Sequence, residues 1–272
     1  MLTEKGKRAL RRKVMSAPLD PEYPFDAELK LLRTIGIAST VMLDIGANTG
    51  TYSAVLEDLL GAENLYIFEP LPHLCRQLRQ RFHKAHVFEL ALSDKEGAQL
   101  IRIPFINGMR FDTRASFNRP VEPGQTGFDE VKVPLRPLDE VITTAGFQAI
   151  GFIKIDVEGH ELPVLHGGRE TLARFKPLLL IEIETRHHPF PITRIFSELE
   201  DLGYKGYFID PTALELREIS QFDPDRDQNP EHFKSRNFAQ YMNNFFFVRG
   251  TAVQDFAASA RSFLDSEKLL RK

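Results

Sequence analysis

Residues 41–53 read V-M-L-D-I-G-A-N-T-G-T-Y-S: apolar positions run into Asp44, then come Gly46 and Gly50, then a segment able to start a helix. An apolar run of this length, closed by glycine and followed by a helix, is the pattern of a buried parallel strand. Gly46 allows a tight backbone turn, and Gly50 allows the helix to pack closely. The open N–H groups at the helix start then face a ligand at the strand's carboxyl end, the geometry of a nucleotide-type pocket. Gly-x-x-x-Gly alone also suits a plain strand–turn–helix, so the stretches that follow decide the reading.

Working outward, strands are expected at 41–45, 64–68, 87–90, 151–155, 178–183, 204–209 and 243–248, with helical patterns between them. Alternation of strand and helix predicts parallel pairing with right-handed crossovers. The expected fold is α/β: a doubly wound, Rossmann-like, seven-stranded and mostly parallel sheet with helices on both faces and a C-terminal antiparallel hairpin. Residues 1–37 read as a helical lead-in broken by Pro18, Pro21 and Pro24, with Leu29, Leu32 and Ile35 forming a short helix at the sheet's edge. Residues 38–250 read as the catalytic domain and 251–272 as a terminal helix. Residues 98–103 and 131–133 have strand character. The Gly-, Asn- and Arg-rich stretch between them reads as a substrate loop at about 104–130. Residues 211–241 read as a surface crossing.

The totals narrow the function classes. The chain has 272 residues, 42% hydrophobic and 27% charged, within the range of globular proteins. A net charge of −3 leaves no electrostatic footprint for nucleic acid. No apolar run is long enough for a transmembrane helix, and the basic N-terminus lacks the apolar centre of a signal peptide. One cysteine, Cys75, excludes an internal disulfide and suits a reducing, cytoplasmic setting, where it reads as an inert thiol.

Ligands of a doubly wound sheet bind outside the carboxyl ends of its strands. Asp44, Glu69, Glu89, Asp156 and Glu182 all fall at such ends. Glu69, 23 positions after Gly46, is placed to accept both hydroxyl protons of a ribose. Lys154, Asp156 and Glu158 alternate on one face of a central strand, where burial is costly unless they pair or meet a ligand. His160 follows, as a general base or a capping histidine. Glu182 and Glu184 share a strand face. A divalent metal held by Asp156 and Glu182 is chemically possible but not predicted, and His187-His188, lacking metal spacing, are expected on a loop surface.

A short-chain dehydrogenase needs a glycine at position 52 and a Tyr-x-x-x-Lys pair. Position 52 is Tyr, and no tyrosine has a lysine four residues on. An S-adenosylmethionine-dependent methyltransferase suits the residues better. The stretches V-M-L-D-I-G-A-N-T-G, I-F-E-P, L-A-L-S-D, R-A-S-F, L-D-E at 138–140, I-K-I-D-V-E-G-H-E-L-P-V-L-H-G-G, L-L-I-E-I-E and N-N-F-F-F-V resemble FkbM-type methyltransferases over about residues 38–250. The resemblance implies methyl transfer from S-adenosylmethionine to a hydroxyl of a small molecule such as a sugar or polyketide. It implies a cofactor loop of Asp44, Gly46, Asn48 and Gly50, with Glu69 on the ribose, Glu89, Leu90 and Ala91 about the adenine, and Asp156 near the methyl donor. It also implies Lys154, Glu158 and His160 around the acceptor, with Arg114, Ser116 and Glu182 as substrate contacts. Two rivals stand beside it. A scaffold that binds the cofactor without methylating is disfavoured by the Lys154–Asp156–Glu158 cluster. A nucleic-acid methyltransferase commonly carries an Asn-Pro-Pro-Tyr-like motif where this chain has Asp156-Val157-Glu158-Gly159.

Overall fold

A computed structural model describes residues 25–37, 40–117, 121, 123–234 and 240–270. Most of the expected lead-in, including its three prolines, lies outside them. Period-two burial organises the sheet: Leu43 and Ile45 face one core, Met42 the other, and the same split holds for Ile153 and Ile155 against Phe152, and for Phe245 and Phe247 against Phe246. Strands with both faces buried read as unbroken apolar runs.

The main sheet holds eight strands in the order β11-β10-β12-β9-β8-β1-β2-β3. Five are mutually parallel: β1 (Met42–Ile45), β2 (Leu65–Phe68), β3 (His86–Phe88), β8 (Phe152–Ile155) and β9 (Leu178–Glu182). Then β12 (Asn244–Arg249), β10 (Tyr204–Asp210) and β11 (Glu215–Glu218) follow antiparallel. The expected count was seven. The added strand is β11, and the tight hairpin is β10–β11, while β12 inserts between β10 and β9. From β1 the chain builds outward to β2 and β3 on one side and to β8 and β9 on the other, so a crevice opens where β1 meets β8.

The helix Phe25–Thr34 does not sit at the sheet's edge. Its Leu31 and Leu32 enter the core beneath one face, with Ala54 of the helix Thr51–Leu60 and Ala260 and Leu264 of the helix Ala252–Leu270.

The expected substrate loop is largely a second sheet, ordered β4-β7-β5-β6. Here β5 (Gly97–Ile106) and β7 (Gln125–Pro137) form a long antiparallel pair, with β4 (Ala91–Ser93) and β6 (Met109–Arg110) at the edges. Its inner face buries Ile101, Ile103, Val133 and Leu135 against Leu71, Leu74 and Phe117. The expected third strand also divides: β3 stays in the main sheet, the chain leaves it at Glu89-Leu90, and β4 joins the second sheet. That break brings Leu90–Leu92 over the crevice.

Candidate active site

Gly46 is the point where the crevice depends on having no side chain. Its φ is +78°, and a Cβ there would lie 1.8 Å from the backbone oxygen of Asp156. The N–H groups of Gly46 and Ala47 donate to the Phe68 carbonyl at 2.9 and 3.1 Å, tying the loop after β1 to the end of β2. Gly50, expected to ease helix–sheet packing, instead faces another helix: a Cβ would meet Phe82 at 2.7 Å and Leu78 at 2.8 Å, beside the helix Pro72–Arg81. Asp44 is buried and acts from its strand as the missing side-chain cap. Its Oδ2 accepts from Ser53 Oγ at 2.6 Å and from Ser53 N at 3.3 Å.

Glu69 is buried at the end of β2, where its Oε2 accepts from Asn48 N and its Oε1 from Leu71 N, both at 2.8 Å. Burial pushes its carboxyl up to about 7 despite these two bonds. Cys75, buried beneath, donates its thiol to the Glu69 carbonyl, and burial pushes that thiol up to about 12.

At the end of β8, Lys154 is 1% exposed. Its Nζ donates to the Ile155 carbonyl at 3.1 Å and to Asn244 Oδ1 at 3.5 Å, and lies 5.1 Å from the centre of the Tyr52 ring. Asp156 hydrogen-bonds to Glu182 on the neighbouring strand. Burial pushes both carboxyls up and Lys154 opposes it in each; the charge of Asp156 raises Glu182 further, while the hydrogen bond from Glu182 holds Asp156 down. Behind them, burial would raise Glu184 too, but hydrogen bonds from Arg186 and from Tyr241 Oη hold it near 2.

The loop after Asp156 is held in a costly conformation, with Glu158 at φ +52° and Gly159 at +96°. Ser116 Oγ donates to the Glu158 carbonyl at 2.7 Å. His187 Nε2 lies 3.2 Å from the Glu158 carboxylate and His188 Nε2 lies 3.0 Å from that of Glu161, whose other oxygen accepts from Gly159 N at 3.0 Å. The two histidines are therefore buried braces, where a loop surface was expected. Their glutamate partners explain the burial. His160 Nε2 is 3.0 Å from Ser93 Oγ and its ring packs 4.7 Å from Phe117. Burial holds its pKa below the ordinary histidine value.

These groups line a cleft of about 260 Å³. The expected residues Asp44, Gly46, Asn48, Glu69, Leu90, Ala91, Lys154, Asp156, Glu158 and His160 meet there. Gly50, Glu89, Arg114, Ser116 and Glu182 are not among the described lining residues. Glu89 turns outward to Arg79 at 2.9 Å, and the Arg114 guanidinium lies 5.4 Å from the centre of the Phe111 ring. Ser116 grips the Glu158 backbone, and Glu182 stands behind Asp156. Sequence reasoning missed Tyr52, Asp112 and Phe117. Partial burial would raise Asp112, but hydrogen bonds from His73 and Arg110, each at 2.9 Å, hold its carboxyl below the usual range. Among the described residues, no group of three or more His, Cys, Asp or Glu is arranged to hold a metal ion, and no helix is long and apolar enough to cross a membrane.

A glycine cradle, a strand-end acid and a polar β8 terminus at the switch point of a mixed sheet define an α/β methyltransferase-like fold. The chain belongs to the FkbM methyltransferase domain family, whose model matches residues 44–205. It is 34% identical over 148 residues to the 2-O-methyltransferase NoeI of Sinorhizobium fredii, an alignment covering 49% of this chain and 59% of NoeI. It is 23% identical over 176 residues to the hexuronic acid methyltransferase AglP of Haloferax volcanii, covering 62% of this chain and 66% of AglP. The chain thus spans less than two thirds of the length of either relative. A methyltransferase FkbM structure from Methylobacillus flagellatus KT aligns with 89% of this chain and 57% of its own length, at 18% identity and a TM-score of 0.48.

Proposed function

We propose that this chain transfers a methyl group from S-adenosylmethionine to a hydroxyl of a sugar-like small molecule, with residues 38–250 as the catalytic unit and the cytoplasm as its setting. The observation that carries the reading is the cleft itself, where five carboxyl side chains (Asp44, Glu69, Asp112, Asp156 and Glu158) and one lysine line the switch point. Such a lining favours a cationic ligand. The donor, when bound, supplies an electrophilic methyl group on a positively charged sulfonium.

The chain's own residues divide the work. Gly46 leaves room for the donor against the β8 terminus. Glu69 in its ionised form accepts the ribose hydroxyls, and Leu90 and Ala91 flank the base. Asp156 stands near the methyl, with Lys154 balancing its charge. Glu158 and His160 face the acceptor. His160, kept neutral by burial, offers a ring nitrogen to take the hydroxyl proton. Alignment of the two partners supplies the rest of the rate. Metal assistance through Asp156 and Glu182 ranks below this route, because the two carboxyls already bind each other. The names of NoeI and AglP support a sugar hydroxyl as the acceptor.

The test is calorimetric titration with S-adenosylmethionine, followed by mass spectrometry of neutral and uronic glycosides incubated with both. Micromolar donor binding that Glu69→Ala weakens strongly, and one added methyl on a glycoside, are the expected results. A chain that ignores the donor sinks the reading.

A further inference from the structure

Behind the His160 ring, away from the cleft, two side chains of the second sheet's first strand and its turn decide which ring nitrogen can act. His160 immediately precedes the helix Glu161–Gly167, and Gly167 lets that helix close on β4: a Cβ there would lie 1.9 Å from the Ser93 carbonyl oxygen. The approach brings His160 Nε2 to 3.0 Å from Ser93 Oγ, which lies 3.2 Å from Asp94 Oδ1. Ser93 is buried, whereas Asp94 is exposed.

One hydroxyl proton serves both contacts. An exposed aspartate carries no proton at neutral pH, so Asp94 can only accept, and the Ser93 hydroxyl donates to it. Ser93 Oγ is then the acceptor toward the ring, and Nε2 carries the hydrogen. The reverse arrangement would set the lone pairs of two oxygens against each other at 3.2 Å. Neutral His160 is thereby held as the Nε2–H tautomer, and Nδ1 keeps the lone pair. Among the described residues Nδ1 has no hydrogen-bond partner. His160 lines the cleft, as does Phe117, on which its ring packs. Burial favours the neutral ring. Of the charges that bear on it, Glu161 and Asp94 favour the protonated form and Lys95 opposes it, while Asp156 and Glu158 share the cleft.

We propose that Ser93 and Asp94 are positioning residues that hold His160 as the Nε2–H tautomer, so that Nδ1 takes the proton of the acceptor hydroxyl. This rests on the function proposed above. In the step, the acceptor oxygen bonds the donor's methyl carbon, the electron pair of the methyl–sulfur bond stays on sulfur, and the hydroxyl proton passes to Nδ1. The imidazolium keeps its Nε2–H on Ser93 with the Asp94 charge behind it, and Nδ1 gives its proton to water once the product leaves.

The test is nitrogen NMR of the full chain carrying isotopically labelled histidine, titrated across pH for the wild type, Ser93→Ala and Asp94→Asn. The His160 signals are assigned by their loss in His160→Gln. Methylation of methyl glucoside and methyl glucuronide at saturating S-adenosylmethionine accompanies the spectra. Neutral wild-type His160 should show Nε2–H and a bare Nδ1. Ser93→Ala should mix in the Nδ1–H form and lower turnover about tenfold at unchanged KM. Asp94→Asn removes a charge that favours the imidazolium, so its His160 should titrate at lower pH. A wild-type ring protonated on Nδ1 overturns the assignment. So does a tautomer that Ser93→Ala leaves unchanged, which would make Ser93 structural, or a titration that Asp94→Asn does not move. If the wild type methylates neither glycoside, the proposed function fails, while the spectra still decide the tautomer.

Discussion

A carboxyl that takes two backbone N–H bonds would ordinarily sit low in its titration range, yet burial outweighs both at Glu69 and leaves it at about 7. Because that lies above the ordinary 4.5, the folded chain holds the proton more tightly than the unfolded one. The resulting stabilisation is complete below about pH 4.5 and is lost as pH rises through about 7. Ribose hydroxyls donate to the ionised form, so donor binding should run the opposite way. Affinity for S-adenosylhomocysteine is expected to fall about tenfold per pH unit below 7 and to level off above it. Glu69→Gln should bind weakly with a flat profile between pH 5 and 8. Titrations across that range check it, and a wild-type profile as flat as the variant's would refute the role. Gly46 makes a steric prediction at the same scale. An alanine Cβ there meets the Asp156 carbonyl at 1.8 Å in a backbone that side chains disfavour, so either the loop or β8 must shift. Gly46→Ala should abolish donor binding and cost about 2–4 kcal/mol in a urea melt.

Among the elements, the segment after β9 bears on the site without lining it. Gln228, buried in the turn after the helix Pro224–Asp227, receives Thr185 N at 2.7 Å and Thr185 Oγ1 at 2.8 Å. It also donates to Ile183 O at 2.6 Å and to Met242 O at 2.9 Å. Four polar groups at the end of β9 therefore depend on one amide, just where the chain turns toward His187 and His188. Gln228→Leu should cost about 3–5 kcal/mol, since the buried Ile183 carbonyl loses its donor at about 1–3 kcal/mol and the three part-buried bonds add less each, water replacing part of them. It should also weaken acceptor turnover more than donor binding, because the braces on Glu158 and Glu161 loosen. Denaturation curves and separate KM values for the two substrates check this. None of it was legible in the sequence, where residues 211–241 show no long periodic pattern. Two helices of four and five residues and a four-residue strand leave too little signal to detect. The second sheet was half legible. Val131, Val133 and Leu135 alternate with Lys132 and Arg136, but Gly127, Pro134 and the turn at Asn107–Gly108 masked the continuity of β5 with β7. The central parallel strands, by contrast, were plain, because burial on both faces makes each a short, mostly apolar run bounded by turns. The edge strand β3, with His86 exposed, is the exception.

At the scale of the whole molecule, the cleft was legible through its strand-end acids, because the topology of a parallel sheet sends those ends to one edge. Side-chain direction was not legible. Glu89 and Glu182 fall at strand ends, yet Glu89 swings to Arg79 where the chain leaves the sheet, and Glu182 turns toward Asn243 and Asp156. Nor did periodicity reveal how far the site leans on distant elements. Lys154 shares its sheet face with Phe152, Leu180 and Phe246, and the far side of that core is closed by Phe256, Ala260 and Leu264 of the helix Ala252–Leu270. Lys30 and Glu267, both buried, join that helix to Phe25–Thr34 at 3.5 Å. The face that carries the ammonium is therefore sealed by the first and last described helices, the first of which also packs Leu29 on the cleft-lining Tyr52. Leu264→Ala removes a 1%-exposed side chain from that seal and should cost about 2–5 kcal/mol. Well below its melting point, the variant should bind the donor as the wild type does, because no group in the cleft has changed. Urea denaturation with calorimetry separates the two effects. A lowered denaturation midpoint with intact affinity is expected, whereas an unchanged midpoint would mean that the helix adds little to the core.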